Sequence, residues 1–143
     1  STQSRSSAAS DVYKRQFQSC IDSGETKMIT VSNMAAPSLT GDNTPCSLSG
    51  AVVTDILRNE LNFRGVIVSG AMNQAAITNY YGADEAAVLA LRAGCDMIYA
   101  PENFETAYNG VLEAVQNGTI SEDRVNDSLR RIYRIKYADK IEQ

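Results

Sequence analysis

Histidine is absent from this chain of 143 residues, as is tryptophan. Without histidine there can be no His-containing metal site, no Ser-His-Asp triad and no Cys-His nucleophile pair within the chain. Cysteine is scarce: Cys20, Cys46 and Cys95 are three, an odd number, and no Cys-x-x-Cys spacing suggests zinc or redox chemistry. They read as small core-filling thiols. No basic cluster offsets the formal charge of −4, since Lys14-Arg15 and Arg130-Arg131 are the only adjacent basic pairs. That argues against a nucleic-acid partner. No apolar run approaches the roughly 20 residues that span a bilayer, and the polar N-terminus lacks the apolar stretch of a secretory signal, so no membrane partner is expected. The compartment stays open between cytoplasmic and secreted. Neither GxGxxG nor a P-loop pattern occurs, which removes the usual support for nucleotide binding.

What remains, 43% hydrophobic and 21% charged residues, suits a domain with a sizeable core. Residues 1–16, STQSRSSAASDVYKRQ, show no helical or strand period and carry few large apolar side chains. SSAASDVYKRQ also resembles a translated sequencing adaptor, so 1–16 is expected to be a disordered, non-native leader, with family sequence starting near Phe17. From Phe17 the pattern alternates. A helix end closes at Ser23-Gly24, and MITVS at 28–32 reads as a strand. After the turn residues GDNTP at 41–45, Ser47 or Ser49 is placed to cap a helix with Val52, Val53, Ile56, Leu57 and Leu61 at helical spacing. VIVS at 66–69 and MIYA at 97–100 read as two further strands, separated by the helix DEAAVLALRA that Gly94 stops. Two helices follow. One carries Phe104, Tyr108, Val111, Leu112 and Val115 on a stripe, and the other is capped by Ser121 with Arg130, Arg131, Arg134 and Lys136 as a solvated basic face.

Strands alternating with helices at this spacing predict an α/β fold with parallel strands and right-handed crossovers. Three strands are fewer than a doubly wound sheet uses, and a closed eightfold barrel takes about 250 residues, so on either reading part of the fold is absent. Periodicity does not choose between the two.

Particular residues do. PCSLSGAVVTDILRNELNFRGVIVSGAMNQAAIT at 45–78 resembles the segment joining barrel strands six and seven of glycoside hydrolase family 3. EAAVLALRAGCDMIYAPEN at 85–103 resembles strand eight with its preceding helix, and NGTISEDRVNDSLRRIYRIKY at 117–137 is similar to the closing helix of the bacterial β-N-acetylhexosaminidase branch. The resemblance implies the last three strand-helix units of a partial TIM barrel over 17–143, needing the missing upstream half of the barrel as its partner. The three strands should then run parallel and adjacent in chain order, with helices on one side. The open barrel should expose inner side chains such as Val31 and Val68 and make the chain poorly soluble alone.

The resemblance also implies a retaining glycosidase acting on a carbohydrate substrate, with no metal or organic cofactor. Such enzymes need one group to attack the anomeric carbon and a second to protonate the leaving oxygen. The family's nucleophile is an Asp just after strand seven; here that position is Gly70. Ser69 cannot replace it without a base. The hexosaminidase acid/base, a His on an upstream loop, is not in this chain. Asn33 stands where the family commonly has a His facing the sugar, and Gln74 where it has a Met. Asn33, Ser69, Met72, Gln74 and Glu102 are the candidate substrate-facing positions. Clustering of the departures favours a diverged protein, with sequence error and engineered change as the alternatives. Asp96, Asp84 and Glu85 read as structural, and Tyr80 and Tyr81 as packing rather than sugar-stacking residues.

Two functions from different classes follow. The first is a fragment of a β-N-acetylhexosaminidase-like hydrolase, inactive as it stands, with a β-glucosidase or β-xylosidase type of the same family as its variant. The second is a barrel that binds carbohydrate without turnover. An unrelated α/β binding module ranks third.

Overall fold

The computed structural model describes residues 2–141. The elements are α1 (Thr2–Asp22), β1 (Met28–Val31), α2 (Pro37–Thr40), a 3-10 turn (Cys46–Leu48), a π-helix (Ala51–Glu60), β2 (Val66–Ser69), α3 (Ala75–Thr78), α4 (Ala83–Ala93), α5 (Phe104–Gln116), α6 (Glu122–Lys136) and α7 (Ala138–Ile141). Residues 2–16, aperiodic in sequence and expected to be disordered, are helical. Thr2–Asp22 holds neither Gly nor Pro and includes good helix formers such as Gln, Arg, Lys and Ala, so helix forms without an apolar stripe. Lys14 then pairs with Glu60 at 2.9 Å.

β1 and β2 pair in parallel with Met28 opposite Val66 and Val31 opposite Ser69. The third segment keeps the expected place and direction but not the expected regularity. It meets β2 at one parallel bridge, Val68 to Met97. Ser69 N–H donates to Met97 O at 3.0 Å, but Tyr99 N–H turns to the Ser69 side chain at 2.9 Å instead of a strand carbonyl. Ala100 at φ 46° then leaves extended backbone, and Pro101 has no N–H to donate. MIYA therefore ends as a bridge, not a strand.

The core lies between the sheet and its helices. Ile29, Val31 and Ile67 pack with Val52, Val53 and Leu57 of the π-helix and with Ala86, Ala90 and Ala93 of α4. Strand side chains alternate between faces, so Met28 and Thr30 take the open side of β1. Val31, expected on that open side, is buried at 6% exposure; Val68 is half-buried. The expectation for Val31 is one residue out of phase.

The helix after the 3-10 turn is wider than its apolar spacing predicts. Its last turn closes from Leu61 N–H to Ile56 O, an i→i+5 bond at 2.8 Å. The wide winding brings Arg58 into the core side and leaves Ile56 half-buried. No serine side chain caps it, because Gly50 holds the N-cap and Ser47 is buried in another contact described below.

Gly94 at φ 119° closes α4 in the left-handed conformation that favours glycine. α5 packs on α4 with Gly110 against Asp84, and its small residues Ala107 and Ala114 are buried, while Phe104 and Tyr108 of its apolar stripe remain outside. A Cβ at Gly110 would stand 2.5 Å from the Asp84 Cβ. Gly110→Val is accordingly expected to wedge the two helices apart and lower stability by about 1–3 kcal/mol, read as a fall in the urea midpoint.

Candidate functional site

Parallel pairing sets the C-terminal ends of β1 and β2 side by side, which brings together residues 37 positions apart, Asn33 beyond β1 and Gly70 beyond β2. Asn33 is 5% exposed. Its Nδ2 donates to Ala71 O at 2.7 Å and to Gln74 Oε1 at 3.1 Å, and its Oδ1 accepts from Ser47 Oγ at 2.6 Å. Gln74, itself exposed, stands at the start of the short helix α3 and holds Asn33 from that side. Gly70 lies directly beneath the Asn33 carboxamide, so that a Cβ there would sit 2.5 Å from Oδ1 and 2.7 Å from Cγ. Of the substrate-facing and catalytic positions named from sequence, Asn33, Gly70 and Gln74 thus form one cluster. Ser47, which sequence placed only as a helix cap, is its fourth member.

The other candidates stand differently. Ser69 is fully buried, donates to Gly70 O at 2.9 Å and accepts from Tyr99 N–H at 2.9 Å, which ties the third segment to the cluster. Met72, at 3% exposure, belongs to the core. Glu102 is exposed on the loop into α5, apart from the hydrogen bonds of the cluster. Tyr81 packs against the core and Tyr80 is 77% exposed. An apolar groove of about 460 Å³, lined by Phe17, Ile29, Val31, Leu39 and Ile56 among others, flanks β1 rather than Gly70. Among the described residues no three Cys, Asp or Glu converge as a metal set.

The opposite end of the sheet is held by Asp96. Its Oδ2 accepts from Arg58 Nη2 at 2.5 Å and from Ile67 N–H at 2.9 Å. Its Oδ1 accepts from Ser128 Oγ at 2.7 Å and Arg131 Nη1 at 2.9 Å. Arg124 stands 3.9 Å away and donates to Leu91 O and Cys95 O. The basic residues of α6 are therefore not all a solvated face: Arg131 turns inward because a buried carboxylate lies within its reach. Burial draws the Arg58 and Arg124 guanidinium groups below their ordinary range, and the Asp96 charge opposes that shift.

Burial, and then the charge of Asp96, push the Cys95 thiol up from 9.0 to about 12. In the unfolded chain the thiol ionises near 9.0, while in the fold it stays protonated until about 12. Above pH 9 the unfolded state thus binds fewer protons, so this contribution to stability is intact below 9 and declines as the pH rises from 9 toward 12. Urea melts across that range should show the decline, and Cys95→Ala should remove its share of the slope. At pH 8 a disulfide reagent should label exposed Cys20 at once, and Cys46 and Cys95 only on unfolding.

The family model of the Glycosyl hydrolase family 3 N terminal domain matches residues 2–135. Probable beta-glucosidase C of Aspergillus flavus is 35% identical over 104 residues, which are 64% of this chain and 16% of that protein. Beta-hexosaminidase A of Pseudoalteromonas piscicida is 25% identical over 101 residues, 64% of this chain and 17% of that protein. Among solved structures, a family 3 β-N-acetylglucosaminidase from Paenibacillus sp. superposes with a TM-score of 0.82 at 30% identity, over 89% of this chain and 24% of that one. The chain spans a quarter or less of the length of each of these relatives.

Proposed function

The chain belongs to glycosyl hydrolase family 3, and on that premise we propose that it is the C-terminal part of a retaining glycosidase barrel of the β-N-acetylhexosaminidase type, silent as it stands because its nucleophile position is Gly70. The family is one of glycosidases, so its substrates are carbohydrates, and this chain's relatives include both β-N-acetylglucosaminidase and β-glucosidase types. The observation that carries the proposal is the place of Gly70. It follows directly on a parallel strand, at the C-terminal face where barrel enzymes build their sites, and it has no side chain. In this reading β1, β2 and the segment at Met97 are barrel strands six, seven and eight. Support for the hexosaminidase type comes from the likeness of the closing-helix sequence 117–137 and from the Paenibacillus superposition.

Recovery of the coding sequence upstream, followed by assay of the longer protein on 4-nitrophenyl N-acetyl-β-D-glucosaminide and on 4-nitrophenyl β-D-glucoside, tests this. A His-bearing acid/base loop upstream is the expected finding, and no release of nitrophenol from the present 143-residue chain. Turnover of either glycoside by the chain alone would end the proposal. A second reading, a barrel that holds glycans without cleaving them, is favoured by one observation: Asn33 fills the space above Gly70 and has its own hydrogen bonds satisfied. Absence of the acid/base loop upstream would select it.

A further inference from the structure

Four of the nine glycines have positive φ, and Gly70 is not among them. Its backbone would admit any residue. The three atoms nearest to a Cβ at position 70 all belong to one group: they are Oδ1, Cγ and Nδ2 of Asn33, at 2.5, 2.7 and 2.9 Å. A contact below 3 Å normally resolves when a flexible side chain swings away. Asn33 is not free to do so, because it is buried and pinned by Ser47, Ala71 and Gln74. Displacing it would leave the Ser47 hydroxyl, itself fully buried, without its acceptor.

We propose that Asn33 and Gly70 are a matched pair: the Asn33 carboxamide occupies the space in which a side chain at 70 would stand, and position 70 accepts one only when residue 33 is shortened. Gly70 is then fixed by packing and not by the backbone. Two residues far apart in sequence have to change together. The meaning of this for catalysis rests on the reading of Gly70 as the nucleophile position, but the packing claim does not.

A stability cycle on the whole 143-residue chain tests it, with Gly70→Ala, Asn33→Ala and the double variant displayed on a cell surface and read by resistance to graded protease. Display removes the need for soluble purified protein. Independent structural roles would make the two losses add. The matched pair instead predicts that the double variant falls short of the summed losses by at least tenfold in the folding equilibrium constant, with Asn33→Ser in place of Asn33→Ala giving a like shortfall. If Gly70→Ala does not fold at all, the double variant decides: return of protease resistance supports the pair, and continued failure beside a folded Asn33→Ala control overturns it. Additive losses, or a Gly70→Ala chain as resistant as the original, would also overturn it. Either result leaves the glycosidase reading untouched, since that reading stands or falls on the upstream sequence and the glycoside assays.

Discussion

Asp96→Ala is expected to lower the stability of the fold by about 3–5 kcal/mol, the range for removing one partner of a buried ion pair. The physical reason is what remains behind. Arg58 is 8% exposed, and without Asp96 its guanidinium keeps only the carbonyls of Phe63 and Gly65 as acceptors. Arg124 and Arg131 would then face Arg58 with no intervening negative charge. Ile67 N–H, near the start of β2, would also lose its acceptor. Against a total stability of roughly 5–15 kcal/mol, such a loss is a large fraction of what holds the chain folded. Circular dichroism through a urea titration reads it directly, and a midpoint within experimental error of the original would refute this role of Asp96. Exposed Lys14–Glu60 is the contrast: breaking that pair should change stability by at most about 1 kcal/mol. Asp96→Asn should fall between, because it retains acceptor oxygen but turns an NH2 group toward the arginines.

Much of the fold can be read from sequence where the deciding forces are local. Ser121 accepts from Arg124 N–H at the start of α6, Gly94 closes α4, and Glu122 and Asp123 occupy the first turn of α6, each from chemistry within a few residues. Reading fails where distant residues decide. Arg131 belongs by periodicity to an outer face, but a carboxylate 35 residues away turns it inward. The i→i+5 winding of Ala51–Glu60 leaves no mark in a pattern of apolar spacing, and it changes which residues are buried. The phase of β1 is hidden because a short apolar run, MITV, has no clear polar alternation to show which face is open. At the site, Gly70, Asn33 and Gln74 stand out only through the family resemblance. Ser47 has no signal at all, since a serine buried by the approach of two strand ends looks in sequence like any loop serine.

Placed at the C-terminal end of a complete family 3 barrel, the Gly70 form is expected to give no measurable turnover, and Gly70→Asp alone to remain feeble. A carboxylate nucleophile divides glycoside cleavage into two easier steps, and each factor of ten in rate is about 1.36 kcal/mol of barrier, so loss of this group reaches several orders of magnitude. Restoring the carboxylate is not enough if it cannot reach the anomeric carbon. With Asn33 in place, the Cβ that Gly70→Asp introduces meets the carboxamide at 2.5 Å, and either the new carboxylate is deflected or Asn33 is forced from Ser47 and Gln74. A misplacement of about 1 Å already costs on the order of a hundredfold in rate. The double variant Gly70→Asp with Asn33→Ala should therefore exceed Gly70→Asp alone by about that factor, and it alone should accumulate a covalent glycosyl-enzyme with a slow fluorinated glycoside. Mass measurement of peptides from all three forms decides the matter. The adduct belongs on residue 70. Labelling of the unmutated Gly70 form at Glu102, the exposed carboxylate on the loop into α5, would mean that the nucleophile has moved and that Gly70 was never the position that mattered.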